Sequence, residues 1–184
     1  MRIISGTLRG KILKSPDGQN TRPTSDKARQ GIFNIIEHSP ICDGIVGKTF
    51  LDVFAGTGAF GLEAMSRGAK SACFIEKDKN AISILRENIK SCRVENFTQI
   101  ITQDATKIDK KIGQFDIIFL DPPYEKGLVN LALVKLLEFD AIGENTLIIA
   151  EHKKGENIES PAPLEILREV NYGINAFKLA KLQD

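Results

Sequence analysis

Cysteine is scarce in this 184-residue chain, and no long apolar run interrupts it. The three cysteines, Cys42, Cys73 and Cys92, are odd in number and form no C-x-x-C pair, which suits reduced thiols rather than a disulfide framework. The longest apolar stretch, near Ile117–Leu120, is strand-sized, well short of the roughly 18 residues a membrane span needs. Met1–Gly6 has neither an apolar core nor a small-residue cleavage site, so a cytoplasmic protein is expected. The two histidines, His38 and His152, lie outside every motif below, and no metal site is expected. Repeats and low-complexity tracts are absent. With 42% hydrophobic and 27% charged residues the composition is globular, which excludes disordered and collagen-like chains. The length fits one domain that can bury its core without staples.

Net charge is also nearly absent, at +1, which on its face argues against a polyanionic partner. The distribution says otherwise. Residues 1–35 carry Arg2, Arg9, Lys11, Lys14, Arg22, Lys27 and Arg29 against Asp17 and Asp26, a net +5, and the remainder carries −4. A cationic arm joined to a mildly acidic body fits a nucleic-acid partner or a merely solvated arm; charge alone leaves both open.

Along the chain, Arg2–Ser5 and Lys11–Lys14 read as the strands of a hairpin punctuated by Gly6 and Gly10. Ser25 or Thr24 can cap a helix with Ala28, Ile32, Ile35 and Ile36 on one face, although Gly31 lies inside it. From Thr49 strands and helices alternate. Strands are expected at Phe50–Phe54, Ala72–Ile75, Thr98–Thr102, Phe115–Leu120 and Thr146–Ala150. Helices are expected after the glycine-rich turn Ala55–Gly58, over Asn80–Ser91 and over Leu128–Glu138. A polar linker, His152–Pro163, precedes a closing pair, Leu164–Val170 and Asn175–Leu182, joined around Tyr172-Gly173. The alternation predicts an α/β, doubly wound parallel sheet with an antiparallel hairpin at one end.

Gly56-Thr57-Gly58-Ala59-Phe60-Gly61 fits G-x-G-x-x-G between a strand and a helix. The glycines permit a tight turn and close approach of a ligand. Dinucleotide enzymes share the pattern, so alone it is weak. Four acids refine it. Asp52 sits in the apolar strand ahead of the loop, where a pyrophosphate would be repelled and a ligand carrying ammonium and sulfonium groups would be favoured. Glu76 ends the second strand, where a ribose-binding acid belongs. Asp104, beside Ala105, follows the third and suits an adenine amine. Asp121 follows the fourth. Any one could be a cap or a loop charge; four at one sheet edge, where open α/β sheets bind ligands, point to a site.

Asp121-Pro122-Pro123-Tyr124 is the most specific feature, since a given four-residue word arises by chance in a chain of this length roughly once in a thousand. The prolines rigidify the backbone and leave carbonyls outward. A carboxylate, a fixed carbonyl and an aromatic face can take both N–H bonds of a planar amine while stacking its ring. Drawing the hydrogens out of the ring plane localises the amine lone pair and aims it at an electrophilic methyl.

These residues resemble the ordered motifs of class I S-adenosylmethionine-dependent methyltransferases acting on amino groups. Arg2-Ile3-Ile4-Ser5-Gly6, Arg9-Gly10, Arg22-Pro23-Thr24, Asp26 and Arg29 through Phe33-Asn34 narrow the resemblance to the RsmD family, bacterial 16S rRNA (guanine(966)-N(2))-methyltransferases, nearly end to end. Gln30, Gly31 and Phe60 depart from the family's preferences. The resemblance implies a Rossmann-like fold over 1–184, with residues 1–36 a basic β-hairpin and helix arm and 46–184 a catalytic core. It implies a seven-stranded, mostly parallel sheet whose last strand is antiparallel. It implies S-adenosyl-L-methionine, leaving as S-adenosyl-L-homocysteine, against Asp52, Phe54, Ala55, Gly56, Thr57, Gly58, Gly61, Glu76, Lys77, Asp104 and Ala105. Asp121, Pro122, Pro123 and Tyr124 would hold a flipped guanine. Arg2, Arg9, Lys11, Arg22, Thr24 and Arg29 would grip 16S rRNA in the small ribosomal subunit, with Arg22 nearest the active site. Ribosomal proteins are implied neighbours of a monomeric, membrane-free enzyme. An adenine-N6 or other base-amine methyltransferase, a nicotinamide-dependent oxidoreductase and a non-catalytic RNA-binding factor remain alternatives.

Overall fold

The computed structural model describes residues 1–16, 25–123, 127–153, 163–173 and 175–183. Ser25 opens α1 (Asp26–His38), its hydroxyl accepting the N–H of Ala28 at 3.2 Å and so satisfying one donor that a helix start leaves over. Thr24, the other candidate cap, lies outside the described residues. Then follow β1 (Thr49–Val53), α2 (Ala59–Ser66), β2 (Ser71–Glu76), α3 (Lys79–Cys92), β3 (Thr98–Thr102), β4 (Phe115–Leu120), α4 (Leu128–Glu138), β5 (Ile142–Lys153), β6 (Leu164–Tyr172) and β7 (Asn175–Leu182).

Among the described residues these seven strands form one sheet, in the order β3-β2-β1-β4-β5-β7-β6. The first five run parallel, and β7 is antiparallel to both β5 and β6. The expected architecture is therefore present, with its antiparallel last strand. Strand order reverses between β1 and β4, so the crevice at their C-terminal ends is the place where such sheets take ligands. Alternation along β1 sends Phe50 to one face and Leu51 and Val53 into the other core. The first core gathers Phe33, Phe60, Phe74, Phe119 and Phe177 beneath α1, α2 and α3. The second packs Ile118, Leu120 and Leu133 beneath α4.

Two elements differ from the sequence reading. β5 starts at Ile142, which pairs with Phe115 of β4 ahead of a register shift, and runs to Lys153, because antiparallel pairing with β7, from Ile148 opposite Ala180 to Lys153 opposite Asn175, prolongs the ladder beyond its parallel part. The N-terminal hairpin shrinks to one antiparallel bridge, Arg2 with Ile12. Its intervening chain docks on α2 instead: the N–H of Thr7 donates to the Ser66 carbonyl at 2.8 Å, and that of Leu8 to the Ser66 hydroxyl at 2.9 Å. A Cβ on Gly6 would lie 1.9 Å from the Ser66 carbonyl oxygen, so the close approach requires glycine.

The departures from the family pattern have packing reasons. Phe60 stacks on Phe119 with ring centroids 3.6 Å apart. Gln30 accepts a hydrogen bond from Arg67 Nη2 at 3.0 Å.

Candidate active site

The loop after β1 is left-handed at three of its five residues, Phe54 (φ 64°), Gly56 (φ 55°) and Gly58 (φ 80°). That conformation is costly for Phe54 and free for the glycines. Backbone bonds pin it: the N–H of Ala55 donates to Ile75 at 3.0 Å, and that of Gly58 to Ala55 at 2.8 Å. The glycines do different jobs. A Cβ on Gly56 would meet nothing within 4 Å, so the loop opens to a ligand there. A Cβ on Gly58 would lie 2.3 Å from Leu85 Cδ1, and one on Gly61 2.3 Å from the Phe74 ring. Gly58 and Gly61 are thus glycine because helices and sheet close in on them.

Asp52 is 3% exposed. Among the described residues its carboxylate takes one hydrogen bond, from the N–H of Gly61 at 2.9 Å. Burial pushes its pKa well up, and the nearby Asp121 and Glu76 carboxylates add to the shift, while the Gly61 bond opposes it. A cation placed against it would favour the charged form. Glu76, half-buried at the end of β2, accepts the N–H groups of Gly56 at 2.7 Å, Lys77 at 2.8 Å and Asp78 at 2.9 Å. It ties the glycine loop to the next strand and keeps a free lone-pair direction.

Asp104 caps a 3-10 turn, Ala105–Lys107, and its carboxylate is held at a pKa of about 2. The Thr106 hydroxyl, donating at 2.8 Å, is the largest cause; the Thr106 N–H at 3.0 Å and Lys77 Nζ at 3.0 Å add to it. Lys77 is exposed and Ala105 buried. Asp121 leaves β4 beside the loop, its N–H donating to the Val53 carbonyl at 3.4 Å. Pro122 is half-buried and Pro123 exposed. Tyr124 lies outside the described residues.

On the arm, Arg2 and Arg9 are exposed and Lys11 half-buried, while Arg22 and Thr24 lie outside the described residues. Arg29 corrects the expectation that it grips RNA. It is 1% exposed, its Nη2 donating to the Arg2 carbonyl at 2.7 Å and to Asp26 at 2.9 Å. Its Nε stands 3.9 Å from Glu63. A guanidinium enclosed by the arm and α2 has no surface to offer a phosphate. Burial lowers its pKa despite the attraction of Glu63 and Asp26.

Glu63, on α2, was not singled out by sequence reasoning. It is fully buried and accepts the N–H of Ile4 at 2.7 Å, that of Ser5 at 3.0 Å and Arg67 Nε at 2.8 Å. Arg67 in turn donates to Glu37 at 3.0 Å and lies over the Phe33 ring at 4.7 Å. Asn88 was missed too. Its signal was a polar residue one turn from both Leu85 and Cys92 on the buried stripe of α3.

Comparison with known proteins follows the same lines. The model of a family described as Conserved hypothetical protein 95 matches residues 1–181. A Bacillus subtilis protein, YlbH, described as a candidate rRNA methyltransferase, is 36% identical over 98% of this chain and 98% of its own length. The Ribosomal RNA small subunit methyltransferase D of Escherichia coli K12 is 33% identical over 97% of this chain and 88% of its own. The solved structure of a candidate methyltransferase, yhhF, from Escherichia coli superposes with a TM-score of 0.86 at 32% identity, covering 100% of this chain and 98% of that one.

Proposed function

This chain belongs to the family described as Conserved hypothetical protein 95, the RsmD family, and from that premise we propose that it methylates the exocyclic N2 amine of a guanine in 16S rRNA, using S-adenosylmethionine. Relatives named as small-subunit rRNA methyltransferases support the rRNA substrate and the cofactor class. The observation that carries the reading is the placement of Asp121-Pro122 at the switch point of the sheet, beside the end of β1 from which the glycine loop leaves, where the Asp121 N–H donates to the Val53 carbonyl.

The residues fit this cofactor. Asp52 is a buried carboxylate with one N–H donor among the described residues, suited to an ammonium or sulfonium charge. Glu76 has lone pairs to spare for ribose hydroxyls, and Asp104, ionised at neutral pH, suits an adenine amine. The open face of Gly56 admits the ligand. When bound, the cofactor supplies a methyl activated by its sulfonium.

The chain's own part is to present the nucleophile. A guanine N2 is a poor nucleophile because its lone pair is conjugated with the ring. The Asp121 carboxylate and the Pro122 carbonyl each accept one of its N–H bonds, which draws both hydrogens out of plane and localises the lone pair. The Asp121 carboxylate would stabilise the positive charge that develops on the nitrogen when it is methylated, and would take up the proton that the nitrogen then loses. Tyr124 stacks on the flipped base, offsetting the few kcal/mol that unstacking costs. Residues 1–36 act as the RNA-gripping arm of one domain and residues 46–184 as its catalytic core. Arg2, Arg9, Lys11 and Arg22 contact phosphates, and flipping is easiest in a loop of the RNA.

The test is transfer of a labelled methyl to small subunits from a strain lacking the modification, followed by mapping of the nucleotide. Label on a guanine N2 is expected. Label on adenine, or on no nucleotide, would sink the proposal.

A further inference from the structure

Asn88 is 1% exposed, and a buried primary amide is costly unless its groups are paired. It is paired to two segments, the N-terminal arm and the glycine loop. Its Oδ1 accepts the N–H of Lys14 at 2.8 Å, and its Nδ2 donates to the Lys14 carbonyl at 3.1 Å and to the Thr57 carbonyl at 3.0 Å. Lys14 lies near the end of the first described stretch of the basic arm, 1–16, and in the sequence it leads through Ser15 and Pro16 toward Arg22. Thr57 is the centre of the glycine loop. One side chain therefore holds both the arm and the loop. A second contact has the same direction: Thr57 Oγ1 lies 4.0 Å from Met1 Sδ, and the Met1 carbonyl accepts the N–H of Leu13 at 3.0 Å.

The amide has one workable orientation. Turned over, its oxygen would face the Thr57 carbonyl and its NH2 the Lys14 N–H, leaving like dipoles opposed in a buried site. A shift of Thr57 thus re-aims the amide and weakens both Lys14 bonds together. The exposed ion pair between Lys14 Nζ and Glu87 adds little, as surface pairs do.

We infer that Asn88 is a positioning residue coupling the cofactor loop to the RNA arm, so that cofactor and RNA bind with positive cooperativity. The inference rests on the proposed cofactor and RNA roles of those two segments. A ligand that fixes the loop fixes the Thr57 carbonyl, hence the Asn88 amide, hence the Lys14 backbone; the second ligand then meets an arm already ordered.

The experiment measures the affinity of small subunits with and without saturating S-adenosylhomocysteine, and the reciprocal pair. For the wild type, each ligand is expected to tighten the other about fivefold or more, by the same factor in both directions. In Asn88→Ala the factor falls toward one. Lys14→Pro removes the N–H given to Asn88 along with the Lys14 side chain, for which Lys14→Ala is the control, changes no residue of α3 or the loop and carries the test if Asn88→Ala does not fold; it too loses the factor. Lys14→Ala removes the cation but keeps both backbone bonds and retains the wild-type factor, which separates coupling from charge. Binding of both ligands without mutual tightening, or an undiminished factor in folded Asn88→Ala or Lys14→Pro, overturns the inference alone. Failure of the wild type to bind S-adenosylhomocysteine overturns the cofactor reading and the inference with it.

Discussion

The N–H of Gly61 donates to Asp52 at 2.9 Å, across the turn from β1 into α2, and gives that buried carboxylate one hydrogen bond among the described residues. One neutral donor does not offset the burial of a charge, and Asp121 and Glu76 nearby make ionisation harder still. The site without ligand is therefore electrostatically frustrated, and a cationic ligand relieves it.

That relief has a proton signature. With its pKa raised in the folded protein, Asp52 binds a proton more readily folded than unfolded. The stability it contributes is full below the unfolded value of about 3.9 and is lost as pH rises through the raised folded value. Asp52→Asn should therefore be more stable than wild type above that folded pKa, by about 1.4 kcal/mol for each pH unit that separates the folded value from the unfolded one. Chemical unfolding across the pH range checks this. The same variant should bind S-adenosylmethionine more weakly by tenfold or more, since its charge partner is gone. Titration calorimetry in buffers of different ionisation enthalpy should show wild-type Asp52 releasing a proton on binding where it starts protonated. No release at any pH would refute a cation against Asp52.

Asp121 should separate chemistry from binding. Asp121→Ala is expected to lower methyl transfer by a hundredfold or more, the scale of losing one group that stabilises developing charge. The affinity for S-adenosylhomocysteine should change only a few-fold. Because Asp121 helps to raise the Asp52 pKa, Asp121→Asn should also move the pH dependence of cofactor binding to lower pH. Substantial activity in Asp121→Ala would remove it from the mechanism.

Gly31 and Tyr172 show a residue chosen by a distant element. Within α1 glycine costs about 1 kcal/mol against alanine, and the sequence offers no reason to accept that. The structure supplies one: a Cβ on Gly31 would lie 2.2 Å from Tyr172 Cζ, at the end of β6. Gly31→Ala is expected to destabilise the wild type by about 1 to 2 kcal/mol through overpacking. In a Tyr172→Ala background the same change should stabilise by about 0.5 to 1 kcal/mol through helix propensity. A double-mutant cycle from denaturant melts reads the reversal, and an unchanged sign would show that the ring simply moves aside.

The strands, the glycine loop and the acids at strand ends were legible because local pattern dictates them. Phe115–Leu120 is apolar throughout save for Asp116 since both its faces are covered, and Asp52 stands out because it breaks such a run. What was not legible depended on which surface each helix face meets. The charge count treated Arg29 as arm surface, yet Ile32, Phe33 and Ile36 follow it at i+3, i+4 and i+7, so its side chain points to the core. The buried contacts of Asn88 and Glu63 join segments far apart in the chain, in the case of Glu63 with Ile4 and Ser5, and no local pattern encodes them.

Salt tells the arm's surface cations from its buried one. A Lys or Arg that neutralises a phosphate releases counterions, so the slope of log affinity against log salt counts such contacts at about 0.7 to 0.9 each. Arg9, exposed on the arm, should on replacement by alanine lower the slope for small-subunit binding by about one and leave the melting temperature almost unchanged. Arg29→Met should do the reverse. It leaves Glu63 fully buried beside Arg67 alone and opens the bonds to the Arg2 carbonyl and Asp26. Breaking a buried pair from one side costs about 3 to 5 kcal/mol, so thermal stability falls sharply. The folded fraction, assayed below its melting temperature, keeps the wild-type salt slope because no phosphate contact is lost. A slope reduced in Arg29→Met as in Arg9→Ala would mean that α1 turns this guanidinium outward when RNA binds, and that the buried network is a resting state rather than the working one.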